Sequence, residues 1–104
     1  MEEKIEISVL LELYGNLLTQ TQKKYMDLYY NNDLSLSEIG DNENITRQAV
    51  RTILVKSKKK LYEYEKKLRF MEKETKIKEL LNKIEKNKAK IKEIVQQINN
   101  ELDF

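Results

Sequence analysis

Apolar side chains recur at helical spacing along most of this chain. Ile7, Leu10, Leu11, Tyr14, Leu17 and Leu18 follow the i, i+3, i+4, i+7 pattern of one buried face. That spacing predicts a first helix over residues 3–18. Thr19 and Gln22 have the form of a capping box, and Tyr25, Met26, Leu28, Tyr29 and Tyr30 continue an apolar series, so a second helix is expected over residues 19–30. Aromatics at this spacing read as core rather than as a surface for stacking bases. Asn31-Asn32-Asp33 is a turn. Ser35 and Glu38 form a second capping box that opens a short third helix with Leu36 and Ile39 facing inward. The polar run from Gly40 to Asn44 is expected to end it.

Thr46 is the expected N-cap of a fourth helix. From there Val50, Leu54, Ser57, Leu61, Tyr64, Leu68 and Met71 alternate in steps of four and three, an unbroken seven-residue repeat. With no proline or glycine between them, residues 46–71 read as one helix, ~39 Å long at ~1.5 Å per residue. A second repeat follows. Phe70, Ile77, Ile84, Ile91 and Ile98 stand seven apart, flanked by Leu80, Leu81, Ile94, Val95 and Leu102, with Asn87 in the seam. It is offset by one residue from the first, so a seam shift or a helix break is expected over residues 72–76. Such a stripe suits a coiled coil: a parallel homodimer with its register fixed by Asn87, or an antiparallel hairpin folded back on the fourth helix. The candidate dimer interface is Leu61, Tyr64, Leu68, Ile77, Ile84, Ile91 and Ile98. The expected fold class is all-α, with a helix-turn-helix domain over residues 1–60 and a long helical, coiled-coil-like extension over residues 61–104.

Composition supports this reading. The 104 residues include no proline, no cysteine, no histidine and two glycines, Gly15 and Gly40. Disulfides, thiol nucleophiles, Cys/His zinc sites and histidine acid–base chemistry are thereby removed. No Walker-type loop, HExxH or GxSxG is present, and Glu63, Glu65, Glu72 and Glu74 alternate with lysines as on solvated helix faces. No enzyme, cofactor or metal is expected. The early acids do not resemble a signal peptide and no apolar run suits a membrane span, so the expected location is the cytoplasm.

Charge changes the picture more. The net charge of +2 conceals a balance of −6 over residues 1–45 (three basic, nine acidic), +7 over residues 46–71 (nine basic, two acidic) and +1 over residues 72–104 (eight basic, seven acidic). A basic block that begins at a helix-turn-helix is the footprint of a polyanion partner. Thr46, Arg47, Gln48, Arg51, Thr52, Lys56, Lys58 and Lys59 are the candidate nucleic-acid-binding residues. Arg47 and Gln48 suit base edges near the start of a recognition helix, and the lysines suit phosphates further along it.

The run Leu28-Tyr29-Tyr30-Asn31-Asn32-Asp33-Leu34-Ser35-Leu36-Ser37-Glu38-Ile39, then Ile45-Thr46-Arg47-Gln48-Ala49-Val50 and Leu61-Tyr62-Glu63-Tyr64-Glu65-Lys66-Lys67-Leu68, resembles the YlxM family. These are small bacterial proteins with a helix-turn-helix similar to region four of sigma factors. The resemblance spans residues 7–71. It implies a DNA-binding or regulatory role, a dimeric state, and a link to the signal recognition particle pathway through neighbouring genes. It places Thr46, Arg47, Gln48 and Ala49 at the start of the recognition helix. Gly40 stands where alanine is usual, Glu43 where an apolar residue is expected, and Arg51 where an aromatic is common. Two functions follow as expectations: a regulator that binds DNA or the particle RNA through the helix starting at Thr46, or a protein–protein adaptor of the particle GTPase.

Overall fold

A computed structural model of the chain describes residues 2–102. Helix α1 (Glu3–Tyr14) runs into a 3-10 turn, Gly15–Leu17. Helix α2 (Gln20–Met26) opens on the Thr19/Gln22 capping box and widens into a π-helical turn, Asp27–Asn31. Helix α3 (Leu36–Glu43) opens on the Ser35/Glu38 box. Helices α4 (Arg47–Leu68) and α5 (Phe70–Leu102) follow, separated by Arg69 alone. The described residues are helical or in short turns, as the apolar spacing predicts.

The core is shared by the first four helices. Ile7, Leu10, Leu11 and Tyr14 of α1, Leu18, Tyr25 and Met26 of α2 and its approach, Ile39 of α3, and Val50, Leu54 and Leu61 of α4 are buried together. Helix α4 packs on α1, α2 and α3 and is the element around which they assemble. The first four positions of its seven-residue repeat, Val50, Leu54, Ser57 and Leu61, are buried. Each of the three aliphatic side chains contributes roughly 1.5–3 kcal/mol by leaving water. Ser57 remains compatible with this stripe because its hydroxyl donates to the Ile53 carbonyl at 2.7 Å.

Three expectations are corrected. First, Gly40 to Glu43 is helix rather than turn. The connection is only Asn44-Ile45-Thr46, with Asn44 in the left-handed conformation (φ 57°) that short polar side chains tolerate at a helix C-terminus. Second, α4 stops at Leu68, because Arg69 is also left-handed (φ 56°). The break comes there and not over residues 72–76. It needs no glycine because side chains stabilise it. The Glu65 carboxylate accepts from the Met71 amide (2.9 Å) and from the Tyr14 hydroxyl (2.7 Å), and that hydroxyl accepts from the Phe70 amide (3.1 Å). Two amides that open α5 are thus satisfied by side chains from α1 and α4. Glu65 is therefore a capping ligand, where its spacing suggested a solvated surface charge. Third, the chain divides into compact units at Met1–Met71 and Glu72–Phe104, so residues 61–71 belong with the first unit.

Within the second unit, α5 buries no residue. Ile77, Ile84, Ile91 and Ile98 are 53–61% exposed, and Leu80, Leu81, Ile94, Val95 and Leu102 are exposed beside them.

Candidate nucleic-acid interface

The α3–turn–α4 segment is held by local chemistry at both ends. The Thr46 hydroxyl accepts from the Ala49 amide at 3.0 Å, which starts α4 and leaves the preceding turn tight. The Ile45 amide donates back to the Gly40 carbonyl at 3.0 Å. Gly40 makes the tightness possible: a Cβ there would stand 2.7 Å from the Ile45 carbonyl oxygen and 3.5 Å from the Arg47 nitrogen. Glu43, at the end of α3, lies where an apolar contact was expected. Its side chain is 22% exposed and its carboxylate meets Lys24 Nζ of α2 at 2.8 Å. That hydrogen bond, and the charge behind it, raise the Lys24 pKa. The charge is answered within the fold rather than presented to a ligand.

From this base α4 presents its outer side. At ~100° per residue, Gln48, Thr52 and Lys59 point away from the buried Val50–Leu61 stripe, while Arg47 and Arg51 stand on one flank and Lys56 towards the other. Thr46, Arg47, Gln48, Arg51, Thr52, Lys56 and Lys59 are all exposed. Thr52 is partly engaged, since its hydroxyl donates to the Gln48 carbonyl at 3.0 Å. Seven of the eight residues singled out from the sequence are therefore accessible, spread from one flank of α4 across its outer side to the other.

Lys58 does not belong with them. It is half-buried and its ammonium is paired with Glu3 of α1. The hydrogen bond to Glu3 raises its pKa, against the opposing effect of burial. The acidic start of α1 thus neutralises one lysine of the basic block. The dimer residues also need revision. Leu61 is wholly buried and has no surface to offer a partner. Tyr64 is half-buried, packs against the Tyr14 ring with centroids 6.0 Å apart, and donates to the Leu17 carbonyl at 3.3 Å. Leu68 and the four α5 isoleucines remain exposed.

Sequence reasoning missed Tyr14 and Glu65, whose partnership across 51 positions leaves no periodic signal. It also placed Tyr29 in the core. Tyr25 is buried and Tyr30 half-buried, but Tyr29 is 37% exposed.

Among the described residues no group of three or more Asp or Glu side chains could hold a metal, and no helix is long and apolar enough to cross a membrane.

A UPF0122 protein of Clostridium kluyveri is 48% identical over 79 residues, covering 76% of this chain and 71% of its own length. A UPF0122 protein of Mycoplasma capricolum is 42% identical over 98 residues, covering 94% and 87%. One from Fusobacterium nucleatum is 39% identical over 100 residues, covering 94% and 97%. A family model described as "Putative helix-turn-helix protein, YlxM / p13 like" matches residues 1–101, and the chain belongs to that family.

Proposed function

We propose that this protein is a non-enzymatic regulator that binds nucleic acid through the exposed side of α4, with Arg47 and Gln48 at base edges and Arg51, Lys56 and Lys59 on phosphates. The observation that carries this is the coincidence of three features. The basic block starts at the turn of the helix-turn-helix, Arg47, Arg51, Lys56 and Lys59 are exposed, and Glu43 and Glu3 are already paired with Lys24 and Lys58. The exposed charge of Arg47 and Arg51 is therefore open to a polyanion. In the cell, the resemblance to YlxM proteins points to the signal recognition particle pathway, with its RNA as one target. Binding to duplex DNA and to structured RNA, each measured across a salt series, is the test. If no binding is detected at low salt, the proposal fails.

A second reading has its own support. The exposed α5 stripe is a protein-binding surface, and a second copy of the chain is its simplest occupant, giving a homodimer through a coiled coil. An adaptor of the particle GTPase, with no nucleic-acid binding of its own, would use the same stripe. Capture of that GTPase by the purified protein, unchanged after nuclease treatment, would favour the adaptor. Loss of capture on nuclease treatment would count against it.

A further inference from the structure

We propose that a groove beside α4 takes an unpaired base, so that the protein selects nucleic acid with a loop or bulge over uniform duplex. The inference rests on the reading that α4 holds nucleic acid. It adds what kind. The groove, about 180 Å³, is lined by Tyr29, Tyr30, Leu36, Arg51, Leu54, Val55 and Lys58. It is continuous with the binding face, because Arg51 belongs to both.

Its lining matches a nucleotide. Tyr29 is 37% exposed and Val55 54% exposed, so apolar surface remains open in a fold that buries Tyr25, Leu54 and Ile39. The Tyr29 ring lies edge-on to Tyr30, with centroids 4.9 Å apart and an 80° interplanar angle, so Tyr30 supports one side of it and leaves the rest open. An aromatic ring beside a guanidinium is how proteins stack splayed bases and hold the adjoining phosphate.

Charge decides which side of the tyrosine pair is used. A second groove on these same tyrosines is edged by Glu3, Lys4, Asp33 and Ser35. There Lys4 is paired with Asp33, and Glu3 with Lys58. Lys58 brings its Glu3 pair to the edge of the first groove as well, but no carboxylate is among that groove's lining residues, whereas Glu3 and Asp33 both line the second, so a phosphate-bearing group is better placed beside Arg51. A base extruded from a helix lying on Arg47, Gln48 and Arg51 is therefore better received against Tyr29 and Val55 than in the groove edged by Glu3 and Asp33.

The test uses the full chain and a short hairpin with 2-aminopurine in its loop, in DNA and RNA forms, beside the same stem as a blunt duplex. The expected result is tighter binding to the hairpin, with the 2-aminopurine fluorescence quenched on binding. Tyr29→Leu is expected to lose the preference by about fivefold or more, the weight of one stacked base, and to abolish the quench, while duplex binding persists. Tyr29→Phe is expected to keep both effects. Arg51→Gln keeps the ring and is expected to weaken the hairpin more than the duplex. Equal binding of hairpin and duplex without quenching overturns the groove and leaves the α4 reading standing. Failure to bind either probe overturns both. Should Tyr29→Leu lower the melting temperature, the wild-type quench and its persistence in Tyr29→Phe still decide the matter.

Discussion

The two glycines of this chain should respond to alanine with opposite signs. Replacing a helical glycine by alanine ordinarily stabilises by up to ~1 kcal/mol, through lower backbone entropy in the unfolded chain. At Gly15 the atoms nearest to a Cβ would be methylenes of Lys23, at 3.5–3.9 Å, ordinary contact with a flexible side chain. Gly15→Ala should therefore keep most of that gain. At Gly40 the same Cβ would meet the Ile45 carbonyl oxygen at 2.7 Å. That oxygen is backbone in a three-residue connection clamped by the Ile45 amide on the Gly40 carbonyl and by the Thr46 cap. Relief requires moving the start of α4, and overpacking of this kind costs about 1–3 kcal/mol. The net expectation for Gly40→Ala is a loss of roughly 1 kcal/mol or more, a fall in melting temperature of about 4–8 °C per kcal/mol in a unit of this size. Thermal denaturation of both variants beside the parent is the assay. A melting temperature raised by Gly40→Ala as much as by Gly15→Ala would refute the claim that Gly40 sets the turn.

Other expectations follow from the same contacts. Tyr14→Phe removes the hydroxyl that accepts from the Phe70 amide and donates to the Glu65 carboxylate, and should cost about 1–3 kcal/mol, with faster amide exchange at Phe70 and Met71 than in the parent chain. Alkali should destabilise the fold. Burial raises the Tyr14, Tyr30 and Tyr62 hydroxyls above their ordinary 10.0, and hydrogen bonds to Glu43 and Glu3 raise Lys24 and Lys58 above 10.5. A raised folded pKa gives stability that is complete below the unfolded value and lost as pH climbs through the folded one. The decline should therefore begin above about pH 10, and denaturant midpoints across that range would reveal it. Ile84→Glu with Ile91→Glu should abolish any self-association of the full chain while leaving the melting of the first unit unchanged, as light scattering and calorimetry would show; an unaltered mass would exclude the α5 stripe as the interface.

Much of the fold was legible because its signals are local. Capping residues and apolar spacing within one turn of helix marked α1, α2, α3 and the start of α4. Two kinds of feature were not. Left-handed Arg69 carries no compositional mark, since its break is stabilised by Tyr14 from the far end of the sequence. The early turns of α4 close the core, as their spacing suggests, but Leu61, expected at a dimer interface, is buried within the same chain; periodicity shows that a stripe is buried and not what buries it. The candidate site shows the same limit. Arg47, Gln48 and Arg51 were readable from their place after Thr46, because capping and spacing fix their orientation. Lys58 was not, because Glu3 lies 55 positions away.

The central claim is that α4 holds nucleic acid through Arg47 and Arg51. The most direct measurement is affinity for duplex DNA and for structured RNA over a salt series, for the parent chain and for Arg47→Ala with Arg51→Ala. Log affinity should fall linearly with log salt, and the double variant should show a slope shallower by about one per phosphate contact removed and a loss of about 1–3 kcal/mol for each arginine that reads a base. Identical affinity and identical slope in the parent and the double variant would contradict it.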